Sequence, residues 1–222
     1  MYPTFGTDVL HTAEDEEFNL VYPLKIRRQS SSHWTPVQVA RKAAQWLVVR
    51  PGTRVLDIGC GPGKFCAVGA TTTTGYFTGV EQRADLAAIA RDMIRNLDIA
   101  NVEVIHCNIT GTRFCDYDAF YLYNPFQENI LPSLRIDSKV EMAESLYIQY
   151  TAYVEHQLAQ APLGTRIVTY VGECEEIPAC YDCTHEAFGG YLKLWIKTRA
   201  SESMAPVDLD ARGPIREVVR GC

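Results

Sequence analysis

One stretch constrains this chain more than any other: Val55-Leu56-Asp57-Ile58-Gly59-Cys60-Gly61-Pro62-Gly63-Lys64-Phe65. Val55 to Ile58 read as a short apolar strand with an acid near its end, and glycines at alternate positions then turn the chain into a helix. Glycine serves where a backbone must take positive φ or let a ligand come close. Both needs arise where a strand feeds a helix N-terminus around a bound ribose or phosphate. A Gly-rich turn of this kind works only inside a larger alternation of strands and helices, so the rest of the chain must supply one.

Residues 1–33 carry the acidic cluster Glu14 to Glu17 and then Leu20, Val21, Tyr22, Lys25, Arg27 and Arg28, without clean periodicity. They read as a loose lead-in with a solvated charged face, with a lid over a site as the functional alternative. Thr35, Pro36 and Gln38 predict a capped helix start, and Val37, Ala40, Ala44 and Leu47 form one apolar face up to about Leu47. Strands are expected at Arg54 to Ile58, Tyr76 to Glu81, Val102 to Cys107, Tyr117 to Tyr123, Arg166 to Val171 and Tyr191 to Lys197. Between them lie a short helix from Lys64, a helix over Ala84 to Asn96 with Leu86, Ile89, Ala90 and Met93 on one face, and a long helix to Gln160. A Ser138/Glu141 capping box should open the long helix. The alternation predicts an α/β sheet with right-handed crossovers, and the short Cys- and Gly-containing connection before the last strand predicts an antiparallel hairpin at one edge. Residues 199–222, with Pro206, Gly213, Pro214 and mixed charge, read as a tail.

Length and composition narrow the class. A chain of 222 residues, 47% hydrophobic and 22% charged, suits one soluble domain around a core of its own. No apolar run reaches the ~20 residues of a membrane helix, and the N-terminus lacks the pattern of a signal peptide, so a cytoplasmic protein is expected. Eight scattered cysteines do not make a disulfide scaffold. A net charge of −6 offers no general attraction to phosphates and argues against nucleic acid as a partner.

The glycine spacing limits the ligand. A dinucleotide loop wants glycine or alanine where this chain has Lys64, and a P-loop wants Gly-Lys-Ser/Thr where this chain has Gly63-Lys64-Phe65. What remains is a ribose-bearing ligand that needs no phosphate nest, with Glu81 about 20 residues past the loop in position to reach ribose hydroxyls. On these residues, and on Phe77-Thr78-Gly79-Val80-Glu81, the chain resembles the class I S-adenosylmethionine-dependent methyltransferases from about Trp34 to Lys197. The resemblance implies a seven-stranded, mostly parallel sheet with helices on both faces and an antiparallel edge hairpin, occupying residues 34–198. It also implies S-adenosyl-L-methionine as cofactor. Asp57 would orient its amino-acid end, the Gly59-Cys60-Gly61-Pro62-Gly63 backbone would pass the methionine and ribose portions, and Glu81 with Gln82 would hold the ribose. Asn108 stands where the family often has an aspartate facing the adenine amine, and Trp34 and Thr35 would cover the methionine end.

Tyr123-Asn124-Pro125-Phe126 ends the fourth strand and resembles the Asn/Asp-Pro-Pro-Tyr/Phe motif of amino-group methyltransferases, one proline short. Such a segment holds an acceptor nitrogen in line with a methyl group, its N–H bonds accepted by the Asn124 carboxamide and a backbone carbonyl. Phe126 would stack on a planar acceptor or shield a cation. His33 is a candidate base. Cys174, Cys180, Cys183 and His185 have the ligand types of a zinc site but a spacing that matches no closed zinc module, so no metal is expected. The acceptor is a small molecule or a protein side chain that the sequence does not identify. A non-catalytic cofactor-binding module and an NAD(P)-dependent reductase are the rival readings, the latter disfavoured by Lys64.

Overall fold

The computed structural model describes residues 12–201. The first 11 residues of the expected lead-in and the expected tail from 202 onward lie outside the described residues. Strands β1 (Arg54–Ile58), β2 (Tyr76–Glu81), β3 (Val102–His106), β4 (Ala119–Leu122), β5 (Arg166–Tyr170), β6 (Tyr181–Ala187) and β7 (Leu192–Lys197) form one sheet in the order β3-β2-β1-β4-β5-β7-β6. β1 to β5 run parallel, and β7 is antiparallel to both β5 and β6. The predicted sheet and its edge hairpin are therefore present. β6 is the one strand that patterning did not locate, because Tyr181-Asp182-Cys183-Thr184-His185-Glu186-Ala187 is mostly exposed at the sheet edge and has no apolar face to alternate.

The helices are α1 (Asp15–Phe18), α2 (Leu24–His33), α3 (Val37–Leu47), α4 (Lys64–Thr72), α5 (Ala84–Asn96) and α6 (Glu144–Gln160). Successive strand residues point to opposite faces, so each buried strand feeds two cores. Val55, Phe77, Tyr121 and Val168 pack under α3, α4 and α5, whereas Leu56, Ile58, Val80, Phe120, Leu122 and Ile167 pack under Tyr150, Val154 and Leu158 of α6. Each such fully buried aliphatic side chain contributes about 1.5–3 kcal/mol relative to exposure.

Three local expectations fail, each to a tertiary contact. The lead-in is not loose where it is described: Phe18, Val21, Tyr22 and Ile26 are buried with the core of the α3–α5 face. The Thr35/Gln38 capping box does not form, because Thr35 Oγ1 pairs with the Tyr121 hydroxyl at 2.8 Å. Asp15 supplies the cap instead, its Oδ1 accepting from Val37 N at 3.1 Å, while the Gln38 amide donates to Glu14 Oε2 at 3.0 Å. The Ser138/Glu141 box fails likewise. α6 starts at Glu144, and Asn129 Oδ1 accepts from Ala143 N at 3.3 Å.

Candidate cofactor and acceptor site

β1 and β4 lie side by side at the centre of the sheet while their connections run to opposite sides, which opens a crevice at their carboxyl ends. The loop after β1 lines this crevice in the conformation glycine permits: Gly59, Gly61 and Gly63 all have positive φ, at 77°, 54° and 80°. A Cβ at Gly61 would come within 2.6 Å of the Trp34 ring, and one at Gly63 within 3.0 Å of Ala90, so both close approaches require glycine. Trp34 thus lies over the glycine loop, with its indole N–H donating to Ile26 O at 3.0 Å. Cys60 and Cys66 are buried thiols in this turn, against Gly79 of β2.

Two neighbouring hollows, which share lining residues, occupy the crevice. The larger, about 870 Å³ of empty space, is walled by Gly59, Gly61, Glu81, Gln82, Asn108 and the Tyr123–Glu128 turn, among others. The smaller contains Asp57 with Thr35, Cys60, Lys64 and Tyr121. Glu81 closes the larger one from β2: its Oε2 accepts from Gly61 N at 3.0 Å and its Oε1 from Arg83 N at 2.7 Å. Each carboxylate oxygen keeps a free lone pair, which fits a ribose diol. Burial raises its pKa above the usual carboxylate value, and these backbone N–H groups oppose the rise. Asp57 is also buried, with the Cys66 thiol 3.4 Å away, and desolvation pushes its pKa up to about 7. A buried carboxylate without a cationic partner is a ready place for an ammonium group.

The remaining expected residues are distributed unevenly. Gln82 lines the larger hollow, and its carbonyl oxygen is 3.2 Å from His106 Nε2. Asn108 lines it too, but its carboxamide is committed: Oδ1 accepts from Thr110 N and Oγ1, each at 3.0 Å, and Nδ2 donates to the Tyr150 hydroxyl at 2.8 Å. Phe126 is 7% exposed with its ring against Tyr150, 5.5 Å between centroids, so it builds the wall rather than offering a free face. Tyr123 pairs with Tyr170 at 4.8 Å. Asn124 takes a left-handed φ of 42°, and its side chain has no hydrogen bond among the described residues. It lies against Gly172, where a Cβ would fall 2.0 Å from Asn124 Oδ1. Among the described residues no group of three or more His, Cys, Asp and Glu side chains is placed to hold a metal. Cys180 is buried, Cys183 is exposed, and the His185 ring lies 6.0 Å from Trp46. No helix of the described residues is long and apolar enough to cross a membrane.

Sequence reasoning missed two fixtures. Lys64 is 1% exposed and its ammonium is held by Asp15, by Asn19 Oδ1 at 3.0 Å and by Ser30 Oγ at 3.5 Å, while the Tyr22 hydroxyl donates to Pro62 O at 3.1 Å. The N-terminal helices are thereby tied to the glycine loop itself. Arg83, 4% exposed, holds Glu128 through two hydrogen bonds of 3.1 and 2.7 Å and Asp137 at 3.2 Å, pinning the segment after β4 across the larger hollow. An arginine at a helix N-terminus, where the macrodipole disfavours cations, was the available signal that it has partners elsewhere.

Comparison with known sequences matches residues 15–122 to the family of protein-L-isoaspartate(D-aspartate) O-methyltransferase. No curated protein matches. Among solved structures, an RNA methyltransferase from Salinibacter ruber in complex with S-adenosyl-L-homocysteine superposes with a TM-score of 0.52 at 20% identity, over 79% of this chain and 98% of that one. The putative methyltransferase yhhF from Escherichia coli gives 0.51 at 15% identity, over 72% and 86%. TrmN from Thermus thermophilus gives 0.52 at 16% identity, over 73% of this chain but only 48% of its own length. These likenesses establish the fold.

Proposed function

We propose that the chain is a class I S-adenosylmethionine-dependent methyltransferase, a reading supported by the family match over residues 15–122 and by the fold, and that it methylates a nitrogen atom of a small molecule or a protein side chain. The observation that carries this reading is the Asn124 carboxamide, which stands without a partner among the described residues at the carboxyl end of β4 and lines the larger hollow. A free carbonyl oxygen there can accept an acceptor's N–H bond and leave the nitrogen lone pair pointing into the crevice. The family match ends at Leu122, one residue before Tyr123-Asn124-Pro125-Phe126, so it describes the cofactor half and leaves the acceptor half to be read from this chain. The loop carrying Gly172 continues as Glu173, Glu175 and Glu176, and the net charge is −6; both favour a neutral or cationic amine over a carboxylate or a nucleic acid. Seven described cysteines are free thiols, consistent with a cytoplasmic setting.

When bound, the cofactor supplies a methyl group on a positively charged sulfur. Glu81 and the glycine loop hold its ribose end and Asp57 its amino-acid end; Trp34 excludes water, and Asn124 sets the acceptor's angle of approach. Orientation and desolvation then do most of the work. Calorimetry with S-adenosylhomocysteine and transfer of a radiolabelled methyl group to fractionated cell extract test the reading. Asn124→Ala should bind cofactor as before and lose transfer by about 100-fold or more. Gly172→Ala, which displaces the Asn124 carboxamide, should resemble it. Absence of cofactor binding overturns the assignment, full activity in Asn124→Ala favours another acceptor geometry, and a base-labile methyl ester as product would replace nitrogen with a carboxylate.

A further inference from the structure

The two hollows of the crevice share four residues: His33, Trp34, Gly59 and Tyr123. A ligand that joins a ribose held by Glu81 to an amino-acid end held by Asp57 crosses the junction those four surround. Building on the nitrogen-transfer reading above, we propose that His33 takes the proton that the acceptor nitrogen sheds on methylation.

The placement of His33 is fixed from several sides. It ends α2, and the Tyr123 hydroxyl donates to Ser32 O at 3.5 Å, which sets the turn after β4 against the turn carrying the imidazole. The ring tilts against Trp34 with centroids 5.7 Å apart, and the Trp34 indole is itself tied to Ile26 O. Neither ring nitrogen has a hydrogen-bond partner among the described residues. The charged groups that face it are Arg83, at the start of α5, and Glu128, in the segment after β4; Tyr123 beside it has its pKa raised by burial and is neutral. Burial holds the imidazole below its usual value of 6.5, Arg83 adds to the lowering, and Glu128 opposes it. The free base with an available lone pair is therefore the form present at neutral pH.

The balance of the step is simple. The acceptor nitrogen forms a bond to the methyl carbon, the carbon–sulfur bond breaks with its electron pair going to sulfur, and the proton then carried in excess by nitrogen moves to the imidazole. No oxidant, reductant or metal is required. Asn124 accepts one N–H bond to orient the nitrogen and His33 removes the surplus proton, so the two residues divide positioning from proton transfer.

Histidine-labelled protein followed by 15N NMR tests the placement without an acceptor, the His33 resonance being assigned by its loss in His33→Gln. Its titration midpoint should lie roughly 0.5–2 pH units lower in the S-adenosylmethionine complex than in the S-adenosylhomocysteine complex, since one carries a nearby positive sulfur and the other does not. Equal midpoints would overturn the proposal and leave the cofactor assignment standing. Failure of both compounds to bind would overturn the assignment on which it rests. With an extract fraction that accepts labelled methyl, His33→Gln should keep cofactor affinity within about twofold, slow transfer by about 10²–10⁴-fold and abolish the acid limb of the pH profile. Transfer at the original rate and with the original profile would also overturn it.

Discussion

At the scale of single residues, the crevice is governed by buried polar groups whose ordinary partners are missing or shared. Asp57 is the sharpest case. Desolvation raises its carboxyl from the usual 3.8 to about 7, so the folded state binds this proton more tightly than the unfolded chain. The contribution of Asp57 to the stability of the cofactor-free protein is therefore fully present below pH ~4 and is lost as pH rises through ~7, by a few kcal/mol in all, against the opposite dependence of Asp85 and Asp118, whose pKa values are lowered. An ammonium group prefers the ionised form, so affinity for S-adenosylhomocysteine should rise about tenfold per pH unit up to pH ~7 and then level off. Calorimetry from pH 5 to 8 checks this, and Asp57→Asn should remove the dependence. The residue type and position of Asp57 were legible in the sequence because an acid at the end of an apolar strand is conspicuous. The committed carboxamide of Asn108 was not, since nothing in the local sequence announces Tyr150 as its neighbour.

At the scale of elements, the N-terminal helices act as a fixed brace on the glycine loop. Asp15 does two jobs there, as counter-ion of the buried Lys64 and as cap for the first N–H of α3. Removing it leaves Lys64 buried without its carboxylate and α3 without its cap. Asp15→Ala should therefore destabilise the protein by about 2–3 kcal/mol, seen as a lower urea midpoint, and Asp15→Ala combined with Lys64→Met should recover part of the loss. This dependence also explains why the capping boxes misled. Tertiary packing delivers the oxygen at each start, Asp15 to the first N–H of α3 and Asn129 to the N–H of Ala143 just before α6, and Thr35 is left to pair with Tyr121. Apolar periodicity was more dependable: Val37, Ala40, Ala44 and Leu47 are all buried, as are Leu86, Ala90 and Met93. A stripe of that kind can be satisfied only by a core, whereas a cap can be satisfied by any nearby acceptor.

At the scale of the whole molecule, the crevice lies between two cores, one on each face of the sheet, at the place where strand order reverses. Loops from β1, β2, β3 and β4 converge there, so occupancy couples to global unfolding. S-adenosylhomocysteine at 100 times its dissociation constant should raise the unfolding free energy by about 2.7 kcal/mol, whereas NAD(P)H should leave the thermal midpoint unchanged. A shift with NAD(P)H instead would favour the reductase reading. The sequence by itself determined six of the seven strands, the glycine turn and the acids near the ends of β1 and β2, because hydrophobic period, glycine spacing and strand length are local quantities. Tertiary structure alone decided which hydrogen-bonding groups remain free. Asn108 loses its carboxamide to Tyr150 and Thr110, Lys64 is held by Asp15, and Asn124 is left open against Gly172, since each outcome depends on partners brought close only by folding.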